Sequence, residues 1–308
     1  MKNQTIFSEF LLIGFSSLHH FQFYLFMIFL LIYLMTITWN LLIFLLIITD
    51  SHLYTPMYFF LGNLACIDIC CSSVTTPRMI FDLKTQSLKI SMLECCIQCS
   101  ACVFLVSTEA LLLGVMSCDR YAAICHPLHY MTIMHWKMCA RMASVVWTVG
   151  LIYGFFHALY IFTLKYCDSN IINSFFCDLP QLHLISCGDT SIYNFLILLL
   201  EGLYSVSTFL ITFGPYINIL RTVLRLKGKS SRWKAFSTCT THFSVVFLLY
   251  GAAFVNYFSP KSSHSLVDNK LLSVFYTIMS PLLNPVIYSL RNKEIKDALR
   301  RIIKKLLN

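Results

Sequence analysis

The run YLFMIFLLIYLMTITWNLLIFLLII, Tyr24–Ile48, carries no charged residue from end to end. A helix needs about 20 consecutive, mainly apolar residues to cross the hydrocarbon core of a bilayer, and this run exceeds that length. Six more apolar runs of spanning length follow, at Met57–Ile80, Cys96–Met116, Met142–Leu164, Tyr193–Ile219, Phe243–Phe258 and Leu271–Leu290. Because only helices and closed barrels satisfy their backbone inside lipid, long continuous apolar runs predict helices. The chain is thus expected to be an all-α membrane protein, a seven-transmembrane helix bundle.

Composition agrees. Of 308 residues, 57% are hydrophobic and 12% charged, whereas soluble domains carry about 25% charge. An odd number of spans puts the two chain ends on opposite sides, and the basic residues orient them. Arg120, Lys137 and Arg141, six residues from Arg221 to Lys234 and seven from Arg291 to Lys305 share one side, leaving seven of the 23 Lys and Arg for the other. The positive-inside bias makes the first side cytoplasmic and the N-terminus extracellular, as in a multi-pass protein of the plasma membrane. The formal net charge of +9 then reflects topology, and no nucleic-acid partner is expected.

The whole of 1–308 reads as one domain: an extracellular segment 1–22, a bundle 23–290 and a cytoplasmic amphipathic tail 291–308. Glu9 interrupts the first segment and the apolar stretch Phe10–Phe15 is too short for a signal core, so the segment is expected to be retained. Asn3-Gln4-Thr5 is a glycosylation sequon on the outer side. In the tail, Ile295, Leu299, Ile302, Ile303 and Leu306 recur at helical spacing between Lys296, Arg300, Arg301, Lys304 and Lys305. That pattern suits a helix lying on the inner leaflet against anionic membrane lipids. The longest outer connection holds Cys167, Cys177 and Cys187, a composition that suggests disulfides outside the cell.

Polar groups inside spans are costly and therefore informative. Asp68, Glu109, Asn40 and Asn284 lie at similar depth in four spans. Two carboxylates close together would not both stay ionised unless a cation joined them; the alternative is a protonated, hydrogen-bonded network that only packs helices. Asp119-Arg120-Tyr121 closes the third span, where an acid can hold an arginine until a partner displaces it. Asn284-Pro285-Val286-Ile287-Tyr288 ends the seventh, and Pro285 removes a backbone donor, frees a carbonyl and gives a local break. Cys95, Cys96, Cys99 and Cys102 are spaced as metal ligands can be, yet soft packing residues explain most of them better. His126 and His129 flank a proline in a loop, a poor scaffold for a ligand pair.

Four longer segments carry a family resemblance: LYTPMYFFL (Leu53–Leu61), MSCDRYAAICHPLHY (Met116–Tyr130), KAFSTCTTH (Lys234–His242) and SPLLNPVIYSLRN (Ser280–Asn292). The chain resembles the odorant (olfactory) receptors, a branch of the rhodopsin-like (class A) G-protein-coupled receptors, over nearly its whole length. The resemblance implies disulfides Cys95–Cys177 and Cys167–Cys187, and Asp68 with Glu109 as a site for an allosteric sodium ion. It implies no other cofactor. Asp119, Arg120, Tyr121, Tyr216, Asn284, Pro285 and Tyr288 would form the activation switch, acting on a heterotrimeric stimulatory G protein that raises cyclic AMP.

The ligand is expected in the outer half of the bundle. Helical spacing puts Cys102, Val103, Val106 and Ser107 on adjoining strips of span 3. The family's alignment adds Leu200, Glu201 and Tyr204, then Phe254 and Tyr257, then Val274 and Thr277. Such a wall suits a small, mostly apolar volatile molecule; core packing is the bland alternative for each residue. The chain departs from the family pattern at Trp39, Tyr54, Cys118, Ser174, Thr208 and Pro215. A receptor for a non-odorant small molecule is the nearest alternative function. A transporter would show paired halves with matching interrupted helices, and an enzyme a nucleophile with its base; the sequence has neither pattern.

Overall fold

The computed structural model describes residues 8–166, 169–187, 191–225, 228, 239–240, 242–251 and 274–307. Among the described residues, five helices are long and apolar enough to cross a membrane: α1 (Gln22–Thr49), α2 (Pro56–Thr85), α3 (Met92–Cys125), α4 (Trp136–Thr163) and α5 (Ser191–Arg225). A shorter apolar helix, α6, is described over His242–Gly251. A π-helical turn, Phe275–Met279, leads into α7 (Ser280–Arg291), and α8 (Lys293–Leu307) closes the chain.

The helices outrun the apolar stretches that predicted them because their ends are set by capping chemistry rather than by hydropathy. α2 opens on Pro56, whose missing N–H costs nothing in a first turn. α3 opens four residues before Cys96, at a capping box in which the Ser91 side chain accepts from the Glu94 N–H and Glu94 returns to the Ser91 N–H. At its other end α3 runs on through Asp119-Arg120-Tyr121 to Cys125.

In α1 the buried residues form a narrow stripe, Phe29, Thr36, Asn40, Ile43, Leu46 and Ile47, while Phe23, Leu31, Leu41 and Ile48 point outward. Both faces are apolar, as a lipid-facing helix requires. α3 is the central element, packed against α2, α4 and α5. One core cluster runs through Leu64, Ile67, Leu112, Leu113, Val146, Val245 and Tyr288.

Short strands cover one end. β1 (Glu9–Leu12) pairs antiparallel with β2 (Lys89–Ser91), Phe10 opposite Ile90, and parallel with β4 (Ile171–Ile172), Leu11 opposite Ile171. β3 (Lys165–Tyr166) pairs antiparallel with β5 (Ser186–Cys187). The first half of the stretch that is too short for a signal core is thus part of a strand. Phe10 is fully buried there, edge-on to Tyr166 with ring centroids 5.1 Å apart. The bundle is all-α as expected, with a three-stranded and a two-stranded sheet added.

Candidate functional site

Midway along the bundle, α2, α3 and α7 meet at one amide. Asn284 Nδ2 donates to Asp68 Oδ1 at 3.0 Å and to Glu109 Oε1 at 3.1 Å, and all three residues are almost fully buried. Asn40 joins from α1: its Nδ2 donates to the Pro281 carbonyl at 2.9 Å. That carbonyl lies four residues before Pro285, so it is the one the proline leaves without its helical donor. The break expected at Pro285 is therefore stitched to α1 by a side chain. Asp68 Oδ2, Asn284 Oδ1 and Ser280 Oγ are buried without hydrogen-bond partners among the described residues. This is an all-oxygen set of the kind a hard cation prefers.

At the end away from the strands, the Arg120 guanidinium donates to Asp119 Oδ2, and the Tyr130 hydroxyl donates to Asp119 Oδ1 at 2.7 Å. Asp119 is held from both oxygens. Burial and the Asp119 charge push the Tyr130 phenol above its ordinary range. Tyr121 meets His126 Nε2 at 3.2 Å, Tyr216 is hydrogen-bonded to His242 Nδ1 across α5 and α6, and the buried Tyr288 hydroxyl has no described partner.

Sequence reasoning missed how α8 is tied in. Arg301 Nη2 lies 2.7 Å from Asp50 Oδ2, and Tyr58 donates to Glu294 Oε2 at 2.6 Å and Asn292 Oδ1 at 3.0 Å. Burial opposes the charge on Asp50, but Arg301 and His52 outweigh it and hold the carboxyl at about 2. Nothing in the sequence near Asp50 or Tyr58 announces partners more than two hundred residues away.

The expected ligand residues are split rather than gathered. Cys102 packs with Phe175, Phe176, Met79, Ile278 and Val274. Val106 packs on the main core, and Val103 and Leu200 are half-buried. Thr277 is buried in the π-helical turn. On the α5 side, the Tyr204 hydroxyl donates to the Ser107 carbonyl at 2.6 Å, while Ser107 Oγ donates to Phe104 O at 2.8 Å. The Ser107 and Tyr204 hydroxyls thus spend their hydrogens on the protein. Glu201 turns to α4, where its Oε1 lies 3.6 Å from His157 Nε2. Phe254 and Tyr257 lie outside the described residues, as does Asn3. Among the described residues, a cleft lies at the strand-covered end between Leu12, Phe15, Met79, Asp82 and Phe175.

Cys95 and Cys177 form a disulfide with Cα atoms 5.4 Å apart, tying α3 to the loop before α5. Cys187 is also disulfide-bonded; its expected partner, Cys167, lies outside the described residues. The thiols of Cys96, Cys99 and Cys102 are free and buried, and among the described residues no three or more His, Cys, Asp or Glu side chains gather as a metal site.

The sequence profile described as "Olfactory receptor" matches residues 29–306. The chain belongs to the olfactory receptor family. Olfactory receptor 5G25 of Mus musculus is 44% identical over 306 residues, covering 99% of this chain and 96% of that protein. Olfactory receptor 1G1 of Gorilla gorilla gorilla is 44% identical over 302 residues, covering 98% and 96%. Putative olfactory receptor 1F12P of Homo sapiens is 42% identical over 302 residues, covering 98% and 90%. The receptor is accordingly a membrane protein with a seven-helix bundle, a G-protein-coupled sensor of odorants with a small-molecule ligand and a G-protein partner, and not an enzyme.

Proposed function

We propose that this receptor detects small, mostly apolar volatile molecules in the outer half of its bundle. It answers by raising cyclic AMP through a stimulatory G protein at the Arg120 end. In the plasma membrane its N-terminus is extracellular and its tail cytoplasmic. The observation that carries this reading is the Asn284 amide shared by Asp68 and Glu109. It joins α2, α3 and α7 between the outer half, where Ser107 and Tyr204 meet, and the end where Asp119 holds Arg120. A ligand that shifts α3 against α7 must disturb that joint. The basic α8, tied to Asp50 and Tyr58, supports the orientation, since its cationic residues suit the anionic inner leaflet.

Asp68, Asn284 and Ser280 supply the oxygens that would hold a sodium ion, together with Glu109. Its charge would offset two carboxylates that otherwise repel in low dielectric, and it would favour the resting arrangement. The test is a volatile screen on cells expressing the receptor, read as cyclic AMP with surface expression measured in parallel. Parental receptor should respond to some compounds, and Arg120→Ala should reach the surface and stay silent. A parental response in Arg120→Ala would remove Arg120 from the switch. A parental response carried without cyclic AMP would remove the stimulatory G protein.

A further inference from the structure

The inner half of α7 is a short rod held at both ends. Its outer end is the break at Pro285, where Asn284 is bonded to Asp68 and Glu109 and the Pro281 carbonyl is bonded to Asn40. Its inner end is Asn292, the residue between α7 and α8, which closes one helix and opens the other. The Asn292 N–H donates to the Ser289 carbonyl at 3.3 Å, and Asn292 Oδ1 accepts from the Glu294 N–H at 2.9 Å, capping α8.

Tyr58, buried in the first turn of α2, brings its hydroxyl to this joint. It shares its one hydrogen between Glu294 Oε2 at 2.6 Å and Asn292 Oδ1 at 3.0 Å. A carboxylate acceptor makes the bond one of the stronger kind. Because α8 has a separate tie, from Arg301 to Asp50, Tyr58 is not the only hold on that helix. What it holds is the joint with α7.

Distance from the break makes that joint sensitive. The seven residues from Pro285 to Asn292 make about 10 Å of helix. Since the chain can bend at the proline, a tilt of about 15° there would carry Asn292 by roughly 2.5 Å, enough to part a 3.0 Å hydrogen bond. Residues beside the break would hardly move. Tyr58 is therefore placed where it opposes such a tilt most. Between the two ends, the buried Tyr288 hydroxyl has no partner among the described residues, a costly state that movement of the rod can relieve. Tyr288 and Tyr58 both lie within reach of the Arg120 charge.

We infer that Tyr58 is a positioning residue of the switch: its hydroxyl, on Asn292 and Glu294, holds the inner half of α7 in the resting position and lets go when the receptor signals. This inference rests on the proposed switch at Asn284 and Arg120 and adds a restraint to it. Arg120 is paired with Asp119 in the same structure, so the Tyr58 contact belongs to the resting arrangement. The experiment uses purified full-length receptor in lipid nanodiscs, without ligand. It reads guanine-nucleotide exchange on purified heterotrimers of the stimulatory, inhibitory and other classes, and hydrogen exchange along α7.

Tyr58→Phe keeps the ring in the core and removes only the hydroxyl. It should raise nucleotide exchange about tenfold, the low end for a hydrogen bond to a charged acceptor, and speed hydrogen exchange over 286–292. Tyr33→Phe is the control, because its hydroxyl meets Ser73 Oγ at 3.1 Å between α1 and α2 and touches no residue of α7. It should leave both readings at the parental level. Unchanged nucleotide exchange in Tyr58→Phe would overturn the inference even if hydrogen exchange rose, since the contact would then be structural only. An equal rise in Tyr33→Phe would overturn it too, because any loosening of α2 would suffice. A rise confined to a heterotrimer other than the stimulatory one would leave Tyr58 in its role and overturn the proposed output instead. Should Tyr58→Phe not fold, Glu294→Ala, exposed on α8, removes the charged acceptor and must show the same rise.

Discussion

α3 and α4 cross so closely that α4 has no room for a side chain at the seam, and Gly154→Ala tests this. A Cβ added there would lie 2.6 Å from Phe104 Cβ, 3.0 Å from Phe104 Cα and 3.2 Å from its backbone nitrogen. Carbon atoms rest at about 3.5–4.0 Å, so the helices must part by something approaching 1 Å. Two of the three blocking atoms are backbone and cannot rotate away. Overpacking of this kind costs about 1–3 kcal/mol, against about 0.5–1 kcal/mol gained when alanine replaces glycine in a helix. The cost outweighs the gain.

Gly202 on α5 provides the control, because no atom lies within 4 Å of its added Cβ. Only the favourable contribution applies there, so Gly202→Ala should stabilise. At Gly150, one turn earlier on α4, a Cβ would meet Thr108 Oγ1 at 2.1 Å. Gly150→Ala should behave like Gly154→Ala, and the double variant should cost less than the sum because one separation relieves both clashes. Thermal midpoints of the purified variants in nanodiscs give the ranking. If Gly154→Ala melted at or above Gly202→Ala, the close crossing would not be what holds α3 against α4.

Reversing Arg301 to Glu should free α8 from the bundle, losing about 1.5–3 kcal/mol of charge-assisted hydrogen bonding, and Asp50→Arg in the same chain should restore part of it. Hydrogen exchange over residues 293–307 reads both, and unchanged protection in Arg301→Glu would dismiss the clasp. Because the Asp50 carboxyl is held at about 2, below its unfolded value, the contact is present above that range and lost only as pH falls through it. Protection of α8 should accordingly be flat across neutral pH. Sodium should lower agonist affinity in the parent and not in Asp68→Asn; indifference in both would favour a protonated network at Asp68 and Glu109. Cys177→Ser should cost about 2–4 kcal/mol and impair surface delivery, and a free Cys177 thiol in non-reduced parental protein would contradict the pairing.

The sequence alone determined the membrane class, because apolar length and charge asymmetry are properties of the chain that need no folding to be counted. It also placed Asp68, Glu109 and Asn284 in one layer, since unpaired polar groups in lipid must find one another. Local chemistry at Pro285 told that a carbonyl would be left over; it could not tell that Asn40 on α1 would take it. The strand made from Phe10 and its neighbours was hidden because a four-residue strand has no signal apart from its partners at 89–91 and 171–172. Facing direction was the larger loss. In a span both surfaces are apolar, one toward lipid and one toward protein, so periodicity cannot say which way Glu201 or Cys102 points. Helix crossings decide that. The crossing of α3 and α4 at Gly150 and Gly154, and the packing of α5 beside it, set Glu201 against His157 and Tyr204 against Ser107. These contacts join residues far apart in the chain, and their geometry exists only once the helices have packed.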